Sequence, residues 1–154
     1  MGTAILASKQ SVAARKQVGC VIVPPSGIIA TGWNGMPAGF DNSCENYSSD
    51  WVKPLIIAGS NIHKLVTKPE VIHAERNALD KLAIHGVTPK GSILFTTCAP
   101  CIECAKSIAA VGIKAVYYMD TMRNSDGLDF LVKSGVKVHD YPTITTQHNT
   151  KPLG

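Results

Sequence analysis

From residue 73 to residue 141 the sequence alternates between two hydrophobic periods, and few folds accommodate that alternation. Helical spacing runs over about 73–85, and a glycine-bounded turn follows at Gly86–Gly91. Then come a β run "SILFTT" (92–97), a helix over about 101–111, a β run "KAVYYM" (114–119), a helix over about 126–134 and a β run "VKVHDY" (136–141). Helices interleaved with β runs require crossover connections, and these give parallel strands layered against helices. Upstream, "VGCVIV" (Val18–Val23), a "PPSG" turn and "IIATGWN" (Ile28–Asn34) read as a hairpin. The hairpin adds an antiparallel pair, so the sheet is expected to be mixed.

Between these two parts, Gly35 to Glu70 carries many Gly, Pro, Asn and Ser and shows no clear period. So long an irregular connection is more often functional than idle. A short helix is expected near Asn61–Val66. The opening "MGTAILASKQSVAARKQ" reads as a short amphipathic helix without the apolar core of a signal peptide. The tail "TITTQHNTKPLG" reads as loosely ordered. The 154 residues are the size of one domain, taken as 1–154, and their 45% hydrophobic content suffices for a core. No apolar run approaches the roughly 20 residues needed to span a membrane, and a soluble, cytoplasmic protein is expected. A net charge of +4 without a Lys/Arg run argues against a nucleic-acid partner and suits a small anionic ligand.

Two helix starts carry the chemistry. In "TTCAPCIECAKSIAA", Pro100 suits a first helical turn, and Cys101 and Cys104 fall on one face of it. A helix N-terminus favours thiolate, the form that binds zinc. Two thiolates leave a tetrahedral zinc incomplete, and catalytic zinc takes three protein ligands with a fourth position for water. His73, in "VIHAERNALDKLA", is the natural third ligand if the two helix starts meet. Glu75 would then face the metal-bound water and move protons. At about 100° per residue, positions 73 and 75 point to nearly opposite sides of a helix body, so they can cooperate only at its tip.

Cys98 extends the run to Cys-x-x-Cys-x-x-Cys. It is assigned to packing, although as a fourth ligand it would close the site into a zinc-stabilised binding module without chemistry. Cys20 is expected in the core. Cys44 and His63 are weaker candidates for a second zinc. The joint His-x-Glu and Pro-Cys-x-x-Cys pattern is the signature of zinc deaminases.

The chain resembles the deoxycytidylate (dCMP) deaminases of the cytidine deaminase superfamily. The residues carrying the resemblance are "RKQVGCVIV", "GWNGMPAGF", "VIHAERNAL", "FTTCAPCIECAKSIAAVGIKAVYY" and "RNSDGLDFLVKSGVKV". The resemblance implies a three-layer α/β/α sandwich with a mixed five-stranded sheet. It implies hydrolysis of dCMP to dUMP and ammonia, with Glu75 protonating N3 and then the departing amine. That activity would supply dUMP for thymidylate synthesis. Asn34 matches a residue touching sugar and pyrimidine, Ala99 offers a backbone carbonyl to the exocyclic amine, and Arg15 matches a grip on the 5′-phosphate. Asn77 would support the pocket, and Met122 and Arg123 would lie against the substrate. Met122 stands where many relatives carry a Tyr, and it offers apolar cover without a hydroxyl. Arg76, beside Glu75, replaces a Leu or Met of relatives and would meet an anion, a neighbouring subunit or solvent.

The same resemblance implies a homo-oligomer, most often a hexamer, activated by dCTP with Mg²⁺ and inhibited by dTTP. Gly32, Trp33, Asn34 and Gly35 would form the effector site, the glycines letting backbone N–H groups approach a ligand. The rival readings are another cytosine, nucleoside or RNA-base deaminase and the closed zinc module.

Overall fold

The computed structural model describes residues 1–47, 65–121 and 125–141. In chain order the elements are α1 (Gly2–Ser8), β1 (Gly19–Val23), β2 (Ala30–Trp33), β3 (Glu45–Tyr47) and β4 (Leu65–Thr67). They continue with α2 (Ala74–Ile84), β5 (Ile93–Thr96), α3 (Ile102–Ala110), β6 (Ala115–Tyr118), α4 (Asp126–Lys133) and β7 (Lys137–Asp140). The main sheet has five strands in the order β2-β1-β5-β6-β7. β1 runs antiparallel to β2 and β5, while β5, β6 and β7 are parallel, so the sheet is mixed as expected.

Helices α3 and α4 connect successive parallel strands that advance in one direction across the sheet, which puts both on one face. Helix α2 joins them there. Its buried Ala74, Ala78, Leu79 and Leu82 follow helical spacing and enter one core with Ile22, Leu94, Val116, Ile108 and Leu131. Each large side chain buried in this way contributes about 1.5–3 kcal/mol. Helix α2 stops because Gly86, at φ 64°, takes the left-handed conformation, with Gly86 N–H bonding Ala83 O and Val87 N–H bonding Leu82 O. The same pair of bonds ends α3 at Gly112 and α4 at Gly135.

The opposite face carries α1, packed backbone to backbone on Gly19 through Ala4 and Ser8. Farther along that face Phe95, Tyr117 and His139 share one register and stack, with ring centroids 5.1 and 4.6 Å apart. Among the described residues, α1 is the one helix of this third layer.

Two expectations need correction. The irregular stretch contains an antiparallel ribbon, with Glu45 opposite Thr67 and Tyr47 opposite Leu65. Leu65 and Val66 are therefore strand, where a short helix was expected near Asn61–Val66. The remainder of that helix lies outside the described residues, as does the tail after Tyr141. The amphipathic start is helical only to Ser8, and turns then lead into β1. No helix of the described residues is long and apolar enough to cross a membrane.

Candidate metal centre and active site

His73 and Cys101 hold the same position on two helices. Each is an N-cap in extended conformation, with φ/ψ of −71°/155° and −70°/170°, and neither side chain caps its own helix. N-cap side chains normally bond the first free N–H groups. These two instead turn toward each other across the gap between the helices. His73 Nδ1 lies 3.5 Å from Cys101 Sγ and 3.5 Å from Cys104 Sγ. The three donor atoms all lie within 4.8 Å of one another.

Those distances fit a metal. Tetrahedral zinc with Zn–N of about 2.0–2.1 Å and Zn–S of about 2.3 Å requires N···S edges of about 3.5–3.6 Å. Without an ion the donors conflict. Hydrogen bonds with Cys104 and His73 lower the Cys101 thiol to about 3. Cys104 is pushed far up by its hydrogen bond to Cys101 and by burial, and the bond to Cys101 holds the His73 ring above its usual value. One thiolate thus forms at the expense of the other, and a divalent cation removes that conflict. The positive ends of two helix dipoles face the same point and favour thiolate.

Cys98 is not part of this group. It is buried, its thiol is pushed up chiefly by burial, and its carbonyl accepts a hydrogen bond from Thr96 Oγ1. A closed four-ligand site is therefore not assembled among the described residues. Cys44 sits in an apolar cluster with Ala13, Val71 and Met36, while His63 lies outside the described residues.

Glu75, two residues into the start of α2, leans over the tip beside the donors. It is 4% exposed, and burial pushes its carboxyl up from the ordinary range. Thr96 Oγ1 lies 3.3 Å from Glu75 Oε1. A buried carboxyl at a helix tip, with donors for a metal alongside, can take and return a proton.

A cavity of about 240 Å³ opens over these groups. His73, Glu75 and Cys101 line it, together with Arg15, Asn34 and Ala99, all three expected there from the sequence. Asn34 is locked at the end of β2: its Oδ1 accepts from Val18 N–H at 2.7 Å, and its Nδ2 donates to Lys16 O at 2.9 Å. Ala99 N–H is tied to Asp120 O at 2.7 Å, which fixes that peptide. Arg15 stands exposed at the mouth, where its guanidinium donates to Thr67 Oγ1 at 2.9 Å.

The other expected residues lie elsewhere. Asn77 does not line the cavity; its backbone N–H bonds His73 O, and its Oδ1 is buried without a described partner. Gly32 is buried under α2, where a Cβ would stand 2.2 Å from Ala74 O, so its bareness serves helix packing. The N–H groups of Asn34 and Gly35 bond Val18 O and Ile72 O, so they are committed within the fold. Trp33 lies under the Lys81 ammonium, 3.9 Å from the ring centroid. Arg76 is exposed and pairs with Asp80 at 2.8 Å. Met122 and Arg123 lie outside the described residues.

Sequence reasoning missed several contributors. Lys16, Glu45, Thr67 and Val71 line the cavity, and Thr96 stands behind Glu75. The Glu45 carboxylate accepts from Ala14 and Arg15 N–H at 3.1 and 3.2 Å and so shapes the turn that presents Arg15. Burial pulls the Lys16 ammonium down, but its bond to Asp120 at 2.5 Å and its interaction with Cys98 together outweigh that and leave it raised. Only Thr96 had a signal in the sequence: it is the last inward-facing position of β5.

The zinc-binding region described for cytidine and deoxycytidylate deaminases matches residues 1–120. Deoxycytidylate deaminase of Enterobacteria phage T2 is 32% identical over an alignment covering 98% of this chain and 95% of that protein. The human deoxycytidylate deaminase is 38% identical, with 82% of this chain and 66% of the human protein covered. Among solved structures, dCMP deaminase from the cyanophage S-TIM5 in complex with dCMP and dUMP superposes with a TM-score of 0.76. That similarity comes at 39% identity and covers 91% of this chain and 92% of the other.

Proposed function

The chain belongs to the cytidine and deoxycytidylate deaminase family, and from that premise we propose that it hydrolyses dCMP to dUMP and ammonia. The observation that carries the reading is the cavity that brings Glu75, His73 and Cys101 together with Asn34, Ala99 and Arg15, with Cys104 completing the donor group beside it. When bound, zinc supplies a Lewis acid that activates the attacking water. His73, Cys101 and Cys104 hold it. Glu75 would take one proton from the attacking water and deliver it to N3 of the cytosine ring as the C4–O bond forms, then carry the remaining proton of the added hydroxyl to the amine as the C4–N bond breaks and C4 becomes a carbonyl. Its burial keeps bulk water from short-circuiting these transfers. The Ala99 carbonyl accepts from the exocyclic amine, and Asn34 contacts sugar and pyrimidine while clamping residues 16–18.

Arg15 grips the 5′-phosphate. Its fork matches phosphate geometry, and Lys16 beside it adds a second cation to the same wall. Both point the reading toward a nucleotide and away from a nucleoside. Met122 and Arg123 are assigned to the substrate by resemblance, as is Asn77 to support of the pocket. A basic stripe suited to RNA is missing from the sequence, which weighs against the RNA-base alternative.

Supply of dUMP for thymidylate synthesis, activation by dCTP with Mg²⁺, inhibition by dTTP and a hexameric assembly belong to the same reading. Their support is the resemblance around Gly32–Gly35. Of that segment, Gly32 is committed to packing under α2.

A panel of dCMP, deoxycytidine and free cytosine, assayed for ammonia release, tests the substrate class. The expected order is dCMP far above the other two. Equal use of deoxycytidine would replace the nucleotide reading with a nucleoside one.

A further inference from the structure

Helix α4 carries no residue of the cavity or of the donor set, yet its first turn touches the metal centre through backbone. Gly127 is buried there. A Cβ on it would stand 2.0 Å from Pro100 O, 2.9 Å from Cys101 C and 3.0 Å from Cys101 O. The glycine is not a requirement of the local backbone. It lies inside a helix, where Ala is the better residue by about 0.8–1.0 kcal/mol. Its bareness answers to the contact with the Pro100–Cys101 segment.

That segment is held from the other side as well. Cys101 is the N-cap of α3, and its carbonyl accepts from Ala105 N–H at 2.9 Å. Behind Gly127, Leu131 anchors α4 in the main core. The peptide that carries the Cys101 thiol is therefore clamped between two helices.

We propose that Gly127 is a positioning residue for the metal centre: the bare first turn of α4 seats the Pro100–Cys101 peptide and so sets where Cys101 Sγ stands relative to His73 Nδ1 and Cys104 Sγ. The proposal rests on the zinc reading of those three donors. A carbon–oxygen contact settles at about 3.3–3.6 Å, so an added methyl must part α4 and the peptide by more than about 1 Å. A metal site tolerates displacements of about 0.2 Å in its bond lengths. The displacement reaches the thiol through a rigid peptide and a single Cα–Cβ–Sγ link.

Zinc binding by the native chain, measured against a chelator, tests the underlying reading alone; failure there refutes the zinc site before any variant is made. Given native binding, Gly127→Ala is compared for zinc affinity, for the thiolate-to-cobalt absorption of the cobalt-loaded chain, and for melting temperature with and without metal. The expected result is a loss of about tenfold or more in zinc affinity, a weakened or shifted thiolate-to-cobalt band, and a smaller rise in melting temperature on adding metal. A purely structural glycine would lower both melting temperatures together and leave the affinity and the cobalt spectrum native; that result overturns the proposal. Pro100→Ala supplies the second arm should Gly127→Ala fail to fold. With the Gly127 seat intact, this variant is expected to keep native zinc affinity and cobalt spectrum. A loss of about tenfold or more there would mean that the proline ring, and not the α4 seat, places Cys101.

Discussion

Replacing Thr96 with Val removes one hydroxyl from behind Glu75, the proposed general acid–base, and changes the side-chain volume little. Thr96 is 0% exposed, and its Oγ1 lies 2.9 Å from Cys98 O and 3.3 Å from Glu75 Oε1. One hydroxyl proton cannot serve both acceptors fully. The shorter contact gives the proton chiefly to the Cys98 carbonyl, and the longer one is a weaker donation to the Glu75 carboxylate, while Cys98 N–H donates back to Oγ1 at 3.4 Å. Thr96→Val therefore strands a buried carbonyl and removes a partner of Glu75 at once. A buried polar group left unpaired costs about 1–3 kcal/mol. At about 2–4 °C per kcal/mol for a domain of this size, melting should fall by about 2–12 °C. Turnover should fall as well, by less than for loss of Glu75 itself, because the carboxyl remains. Thr96→Ser, which keeps the hydroxyl, should restore turnover. Thermal unfolding and steady-state deamination of the two variants check this. If Thr96→Val matched the native protein in both, the bridge from Thr96 to Cys98 and Glu75 would carry no weight and the reasoning would fail.

Glu75→Gln should retain zinc and lose about 10²–10⁴ in turnover, the range for a lost general acid–base; near-native turnover would move the proton relay to another residue. Zinc analysis of Cys101→Ser and Cys104→Ser should find the metal lost, and Cys98→Ser should keep it, since Cys98 lies outside the donor group. An empty site in Cys98→Ser would refute the ligand set. Arg15→Gln should cut kcat/KM by about tenfold or more for dCMP, where a charge-assisted phosphate contact is lost, and only slightly for deoxycytidine. Equal losses on both substrates would mean that Arg15 acts through folding. Gly32→Ala should unfold at lower temperature than the native chain, because its Cβ meets Ala74 O at 2.2 Å; unchanged melting would mean that α2 has room to move.

The parts of this molecule that were legible in the sequence are those governed by local rules. Helices α2, α3 and α4 announce themselves by apolar spacing and by a glycine just past each end, and those glycines adopt the conformation that stops the helix. His73 and Cys101 were legible because ligands that share an ion are economically placed at helix starts, where side chains can lean past the backbone. The β3–β4 ribbon was not legible: each strand is three residues long, too short for a period to register, and 17 residues separate them. Glu45 and Thr67 went unseen for that reason, and with them the surface that presents Arg15. Gly32 misled in an instructive way. Beside an Asn at a strand end it suggested close approach of a ligand, whereas the approaching group is helix α2. Gly127 gave no signal either, since a contact between α4 and the Pro100–Cys101 peptide is a property of packing alone.

The central claim is hydrolysis at C4 of dCMP by a zinc-loaded chain acting through Glu75. Its most direct test is turnover of dCMP in ¹⁸O-labelled water, with the product read by mass spectrometry and ammonia counted alongside. The account predicts dUMP carrying one ¹⁸O on the pyrimidine ring for each ammonia released by the native protein, and almost none from Glu75→Gln or from the metal-stripped chain. Unlabelled product, or equal labelling in all three samples, would contradict it.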